Sequence, residues 1–179
     1  MTLFIYLEKC MCPFETERLR VEYFTLDDAS FILELLNEAD FIKNIADKGV
    51  RDIAAAEAYL RDGPVAMYAK HEHGLYKVSL KLNGEVIGMC GLIRRDTLDY
   101  PDLGYAFLKR HHGQGYASES GAATLERARQ QLNMGQIVAI TAQENAASVR
   151  VLEKLGFRFD AEIAIPGRAQ PSLYFTCGA

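Results

Sequence analysis

No run of apolar residues in this chain approaches the roughly 20 needed to span a bilayer, so a membrane partner is not expected. Strong charge of one sign is also missing. The formal net charge is -4, which gives no electrostatic case for a nucleic-acid partner. Cysteine is sparse, at Cys10, Cys12, Cys90 and Cys177. That spacing fits neither a disulfide framework nor a four-ligand zinc site, so reduced thiols, a cytoplasmic location and no metal are expected. Internal repeats, low-complexity tracts and Pro/Gly-rich linkers are absent too. Residues 1–13 contain a short apolar stretch, Leu3 to Leu7, closed by Glu8. With no basic leader and no small-residue cleavage site around it, the segment is expected to be a short arm, not a signal peptide. Residues 14–179 are then one domain, long enough for a substantial core.

What is present is a succession of clear local patterns. Arg18 to Phe24 alternates polar and apolar residues as a half-buried strand does. Thr25 offers an N-cap with Asp28 three residues on, ahead of a helix carrying Phe31, Ile32, Leu35 and Leu36 on one face. A second helix is predicted over Asp52 to Leu60, ending before Gly63-Pro64. Tyr76 to Leu82 and Val86 to Ile93 flank Asn83-Gly84, a strong hairpin signal. Asp102 to Leu108 is a further strand, and Gly113-Gln114-Gly115 leads into a helix to about Leu132 with Leu125, Ala128 and Leu132 inward. Ile137 to Thr141 is apolar without strict alternation, as for a strand buried on both faces. Ala146 to Leu155 is a short helix, and Arg158 to Ile163 and Ser172 to Cys177 are closing strands. This order gives an α/β (α+β) fold: a mixed, mostly antiparallel sheet of six to seven strands flanked by helices. The unit from Asp102 to Thr141 should be a right-handed crossover joining parallel strands.

Chemistry enters at Arg110-x-x-Gly113-x-Gly115-Tyr116-Ala117-Ser118, between a strand and a helix. Glycines there let backbone approach a ligand, and the helix start offers free N–H groups and the positive end of its dipole, which suits a diphosphate. A plain glycine-rich turn is an equal alternative on this segment alone. A P-loop is ruled out because Tyr116 and Ala117, not Lys and Ser/Thr, follow the last glycine. Gly113-x-Gly115-x-x-Ser118 approximates a dinucleotide fingerprint, but it lies behind an antiparallel hairpin instead of opening a doubly wound sheet. The second feature is Asn145-x-x-Ser148, followed by Glu153-Lys154-Leu155-Gly156-Phe157. Taken alone, it reads as an N-cap at Asn145 and a C-cap at Gly156.

Together, at this spacing, the two features resemble the GNAT acetyltransferase superfamily. The opening Glu15-Thr16-Glu17-Arg18-Leu19-Arg20 and the run Ile87 to Leu92 are similar to its ribosomal-protein N-terminal acetyltransferase branch (RimJ/RimL type). The resemblance covers roughly Phe14 to Cys177. It implies transfer of an acetyl group from acetyl-CoA to a primary amine, either a protein N-terminus or a small molecule, by a monomer or homodimer. It further implies a splayed parallel strand pair that admits the pantetheine arm. Phe107 and Leu108 would give it backbone contacts, and Gly113, Gln114, Gly115, Tyr116, Ala117 and Ser118 would cradle the pyrophosphate, with Arg110 adding charge. Asn145 would contact the cofactor and Ser148 would face the thioester.

Catalysis needs a base for the amine, and Asp102 matches an acidic position of the family, with Asp99 nearby; a solvated turn is the competing reading for both. Many relatives carry a tyrosine before the glutamate of the Glu-Lys-Leu-Gly-Phe run, as thiolate-protonating acid. Leu152 stands there in this chain, which leaves Ser148 as substitute or a mechanism resting on positioning. A CoA-binding module without catalysis is the alternative that this departure admits. His111 and His112 are expected to be exposed or near the cofactor and not to act as bases. His71 and His73 lack a third metal ligand, and Tyr105 is expected in the core or lining the acceptor cleft.

Overall fold

In the computed structural model, residues 13–178 are described; the arm up to residue 12, with Cys10 and Cys12, lies outside them. One eight-stranded sheet runs β1 (Phe14–Glu15), β2 (Leu19–Glu22), β3 (Leu75–Leu80), β4 (Val86–Ile93), β5 (Asp102–Phe107), β6 (Gln136–Ala142), β7 (Arg158–Ile163) and β8 (Ser172–Gly178). Their spatial order is β1-β2-β3-β4-β5-β6-β8-β7. Every neighbouring pair is antiparallel except β5 and β6. The sheet therefore has one strand more than the expected six to seven. The extra strand is the two-residue β1, too short to leave an alternating pattern.

The helices are α1 (Ala29–Leu36), α2 (Ala39–Asn44), α3 (Ile53–Leu60), α4 (Ala66–His71), α5 (Tyr116–Leu132) and α6 (Ala146–Lys154). A 3-10 turn (Leu26–Asp28) precedes α1, and there Thr25 N–H donates to Asp28 Oδ2 at 2.8 Å, so the reciprocal arm of the expected capping box is in place. The second predicted helix does not stop before Gly63-Pro64. A π-helical segment, Arg61–Val65, carries the chain from α3 into α4. Its wider turn accommodates the donor that Pro64 lacks. The helix ends instead at Glu72, which takes a left-handed conformation with φ 62°.

Two cores lie on opposite faces of the sheet. Leu125 and Ala128 of α5 and Leu152 of α6 pack with Val78, Leu92 and Ile137. Ile32, Leu35 and Leu36 of α1 and Ala56 and Leu60 of α3 pack with Leu75, Met89 and Leu108. Each fully buried aliphatic side chain contributes about 2 kcal/mol. Ile137, Val138 and Ala139 are all buried, so β6 is covered on both faces as its unbroken apolar run predicts. The close approach of β3 and β4 depends on Gly91, where a Cβ would stand 2.0 Å from the Gly74 carbonyl oxygen. Among the described residues no helix is long and apolar enough to cross a membrane.

Candidate active site: a gap between parallel strands

The parallel pair β5–β6 touches at a single register position, Asp102 opposite Val138. Val138 N–H donates to the Pro101 carbonyl at 2.9 Å, and from there the strands part. The alternation of a strand fixes which backbone groups face the gap. Leu108 N–H points the other way, donating to the Ile87 carbonyl at 2.9 Å on β4. Residues of odd number, Tyr105 and Phe107 among them, therefore turn their N–H and C=O towards β6. This divides the two residues expected to contact pantetheine. Phe107 faces the gap, whereas Leu108 is spent on the sheet and its side chain is fully buried.

The gap opens into a cleft of about 740 Å³ lined by β5, β6, the α5 start and α6. Past β5, a 3-10 turn (Lys109–His111) leads to Gly113 and Gly115, with φ of 75° and 83°. No atom would obstruct a Cβ at Gly113, so glycine is required there by conformation and not by space. Helix α5 begins at Tyr116, and its first ladder bond is Glu119 N–H to the Gly115 carbonyl at 3.0 Å. The N–H groups of Tyr116, Ala117 and Ser118 precede that bond and have no intrahelical acceptor. Gly113, Gly115, Tyr116, Ala117 and Ser118 all line the cleft. A diphosphate fits this cradle, and an extended amide-bearing chain fits the unpaired edge of β5.

Two expected cradle residues lie elsewhere. Arg110 is off the cleft wall, because ion pairs with Glu34 at 2.5 Å and Glu85 at 3.4 Å hold its guanidinium outside. Gln114 is off it too; its carbonyl accepts Arg18 Nη1 at 3.0 Å and its side chain accepts the Tyr116 hydroxyl at 3.2 Å. Sequence reasoning missed Arg18. Its Nε donates to Glu119 Oε2 at 2.7 Å, its backbone N–H to Glu119 Oε1 at 2.9 Å, and its guanidinium stacks on Tyr116. Thr16 Oγ1 joins at Glu119 Oε1, 2.5 Å away. The Thr16–Arg18 signature is thus a strut that fixes the turn and the first helical turn from the β1–β2 connection, 101 residues away in sequence between Arg18 and Glu119.

Further along, Asn145 lines the cleft and caps α6, its Oδ1 accepting Ser148 N–H at 3.1 Å. The cap occupies only Oδ1, which leaves the Nδ2 donors for a cofactor. Asn145→Ala is expected to lower stability by about 1 kcal/mol in urea unfolding and to weaken acetyl-CoA binding in calorimetry. Loss of stability with unchanged affinity would reduce Asn145 to a cap. Ser148 Oγ meets the Tyr105 hydroxyl at 2.9 Å. Tyr105 is thus on the cleft wall, and burial, partly offset by its bond to Ser148, pushes its phenol well above the ordinary value. Leu152 is 1% exposed in the core and offers no proton.

Asp102 stands at the point where the strands part, 1% exposed yet on the cleft wall. Its Oδ2 accepts Arg95 Nε at 2.6 Å and its Oδ1 accepts Ile140 N–H from β6 at 3.3 Å. Burial pushes its carboxyl up to about 6, against the pull of Arg95. The turn reading thus fails for Asp102 but holds for Asp99, which is exposed and uses only its carbonyl, accepting Arg94 Nη1 at 2.7 Å. Arg95, the partner of Asp102, carried no signal of its own in the sequence. Both histidines of the turn are engaged, His111 Nε2 with Glu85 Oε1 at 3.0 Å and His112 Nε2 with the Phe107 carbonyl at 2.8 Å. His73 is buried with Nδ1 on the Leu92 carbonyl at 3.0 Å.

Residues 18–158 match the family described as Acetyltransferase (GNAT) domain. The protein YkkB of Bacillus subtilis (strain 168) is 35% identical over 101 residues, 52% of this chain and 58% of that protein. The chain therefore covers less than two thirds of that relative's length. A GNAT-family acetyltransferase from Bacillus anthracis shares the fold with a TM-score of 0.79 at 23% identity, over 93% of this chain and 98% of its own. The RimL ribosomal L7/L12 alpha-N-protein acetyltransferase, solved with coenzyme A, shares it at 0.80 and 13% identity, over 91% and 95%.

Proposed function

The chain belongs to the GNAT acetyltransferase family; from that premise we propose that it is an acyltransferase that transfers the acetyl group of acetyl-CoA to a primary amine by direct attack on the thioester. The observation that carries this reading is the edge of β5 left open towards β6, where the N–H groups of Tyr105 and Phe107 face the gap while the Phe107 carbonyl is taken by His112, leading through the glycine turn to the free N–H groups at the start of α5. Acetyl-CoA, when bound, supplies the thioester and the thiolate leaving group. The N–H groups of Tyr116 to Ser118 hold its diphosphate, and the gap-facing amides of Tyr105 and Phe107 pair with the pantetheine arm and the thioester carbonyl, where negative charge develops.

Asp102 accepts the amine proton through water, since only the free amine has a lone pair to attack with. A carboxyl near 6 is ionised at neutral pH yet basic enough to take that proton. The Tyr105–Ser148 hydroxyl pair donates a hydrogen bond to the leaving sulfur. Full proton transfer from Tyr105 would be uphill, because its phenol is raised while a thiol titrates near about 8.5. The thiolate thus leaves as an anion and is protonated from solvent. Holding amine and thioester together supplies much of the rate without a dedicated acid.

The test is calorimetry with acetyl-CoA, followed by thiol release with peptides bearing free N-termini and with small primary amines. Binding and turnover on at least one amine are expected. Stabilisation by NAD and not by acetyl-CoA would overturn the reading, and binding without any turnover would leave a CoA-binding module.

A further inference from the structure

The end of the cleft remote from the glycine turn carries a charge arrangement that acetyl transfer alone does not explain. Three cations line it from three separate segments: Lys48 between α2 and α3, Arg95 after β4, and Arg168 between β7 and β8. They sense one another. Lys48 is held below its ordinary value by desolvation and then by repulsion from Arg95 and Arg168. Arg168 is lowered by burial and then by Arg95, with Asp102 opposing. The one carboxylate among them, Asp102, is committed through Oδ2 to Arg95 Nε. Arg168 spends Nη1 on Ser172 Oγ at 2.7 Å, and Lys48 Nζ has no ion-pair or hydrogen-bond partner among the described residues. The other acids on the cleft wall, Glu38 and Asp40, are at the opposite end, on the backbone N–H and Nζ of Lys109. Arg95 and Arg168 are half-buried and Lys48 is exposed at the rim, so three cations surround one anion, a positive excess that a further anion would relieve.

A neutral donor stands beside them. Tyr59 of α3 lines the same wall, close enough to Arg95 to feel its charge, and burial raises its phenol so that it keeps its proton. Its hydroxyl makes no hydrogen bond to another described residue. A protonated phenol beside the Arg95 guanidinium adds a donor to a set in which Asp102 and Ser172 are the acceptors, and donors in excess of acceptors are what a site for a carboxylate or phosphate requires.

We propose that the acceptor is a small amine that also carries an anionic group, a carboxylate or a phosphate, gripped by Lys48, Arg95, Arg168 and Tyr59 while its amine faces the thioester. This rests on the acetyl-transfer reading and narrows it. Polyamines and neutral amines are disfavoured, because they would add to or leave unrelieved the positive excess.

The experiment uses matched acceptors with acetyl-CoA: an α-amino acid against its carboxamide, phosphoethanolamine against ethanolamine, with spermidine and an amidated peptide alongside. The anionic member of at least one pair should have a kcat/KM about tenfold or more above its neutral partner, as one charge-assisted hydrogen bond provides. The pair that responds identifies the anion. Lys48→Ala and Arg168→Gln should each narrow that ratio. In parallel, glutarate and inorganic phosphate are added to CoA-saturated protein, where the diphosphate cradle is already filled. One of them should raise Tm, and Arg168→Gln should abolish the shift. Acetyl transfer without anion preference, or a preference for spermidine or the peptide, overturns this inference and leaves the proposed reaction standing. Failure to bind acetyl-CoA overturns the reaction itself; the anions are then added to the protein alone, and absence of a Tm shift that Arg168→Gln removes overturns the anion site independently.

Discussion

Gly115→Glu should lose acetyl-CoA binding altogether in calorimetry, while Gly115→Ala loses only part of it. The two variants share one cost. At φ 83° any Cβ is strained, by roughly 1–2 kcal/mol. They differ in charge. A glutamate side chain at the N-cap of α5 sets its carboxylate against the N–H groups of Tyr116, Ala117 and Ser118, the place proposed for the diphosphate. The helix dipole favours that internal anion for the same reason that it favours the ligand. The Cβ would also sit 3.5 Å from Arg18 Nη2, so the new carboxylate draws on the guanidinium that braces the turn. An anion tethered within the site competes with a free one at high effective concentration. The Ala variant measures strain, and the difference between the two measures occupancy of the cradle. Equal affinity of Gly115→Glu and the unaltered protein would mean that the turn holds no phosphate.

That turn was legible in the sequence because its determinants are contiguous: two glycines, then a helix whose inward Leu125 and Ala128 recur at helical spacing. Asn83-Gly84 was legible for the same reason, Gly84 taking φ 74° at the β3–β4 connection. Helix α2 was not, since Phe41 is its one buried residue and leaves no periodicity to read. Pro64 read as a stop because a π-helical segment is invisible to capping rules. At the site, the limits were tertiary. Arg110 has the charge and position for a phosphate ligand, but Glu34 and Glu85, from other elements, claim it. The groups that brace the turn and fill the far end of the cleft, Arg18, Lys48, Arg95 and Arg168, meet their neighbours only once β2, β4, β5 and β8 are assembled. Residue type marked the turn, whereas partners decide which cations reach the cleft wall.

Asp102→Asn is the substitution that separates catalysis from architecture at the apex of the gap. In the unaltered protein kcat/KM should rise as pH passes about 6, because the base acts only when ionised. The variant should lose that limb, and its plateau should fall by roughly a hundredfold or more, the usual worth of a positioned base. Stability moves in the opposite sense. Burial raises the folded carboxyl from 3.8 to about 6, so between these values the native state holds the proton more tightly than the unfolded chain. The contribution of Asp102 to stability is then full below about 4, declines as pH rises, and is gone above about 6. Asparagine keeps an acceptor for Ile140 N–H and has no such slope, so urea midpoints across this window should flatten in the variant. Arg95, with a third of its side chain exposed, is left to solvent and not to a buried void. The two readouts can disagree usefully. If the stability slope flattens while the pH–rate limb survives intact, Asp102 merely pins β5 to β6, and the base is another group or the solvent.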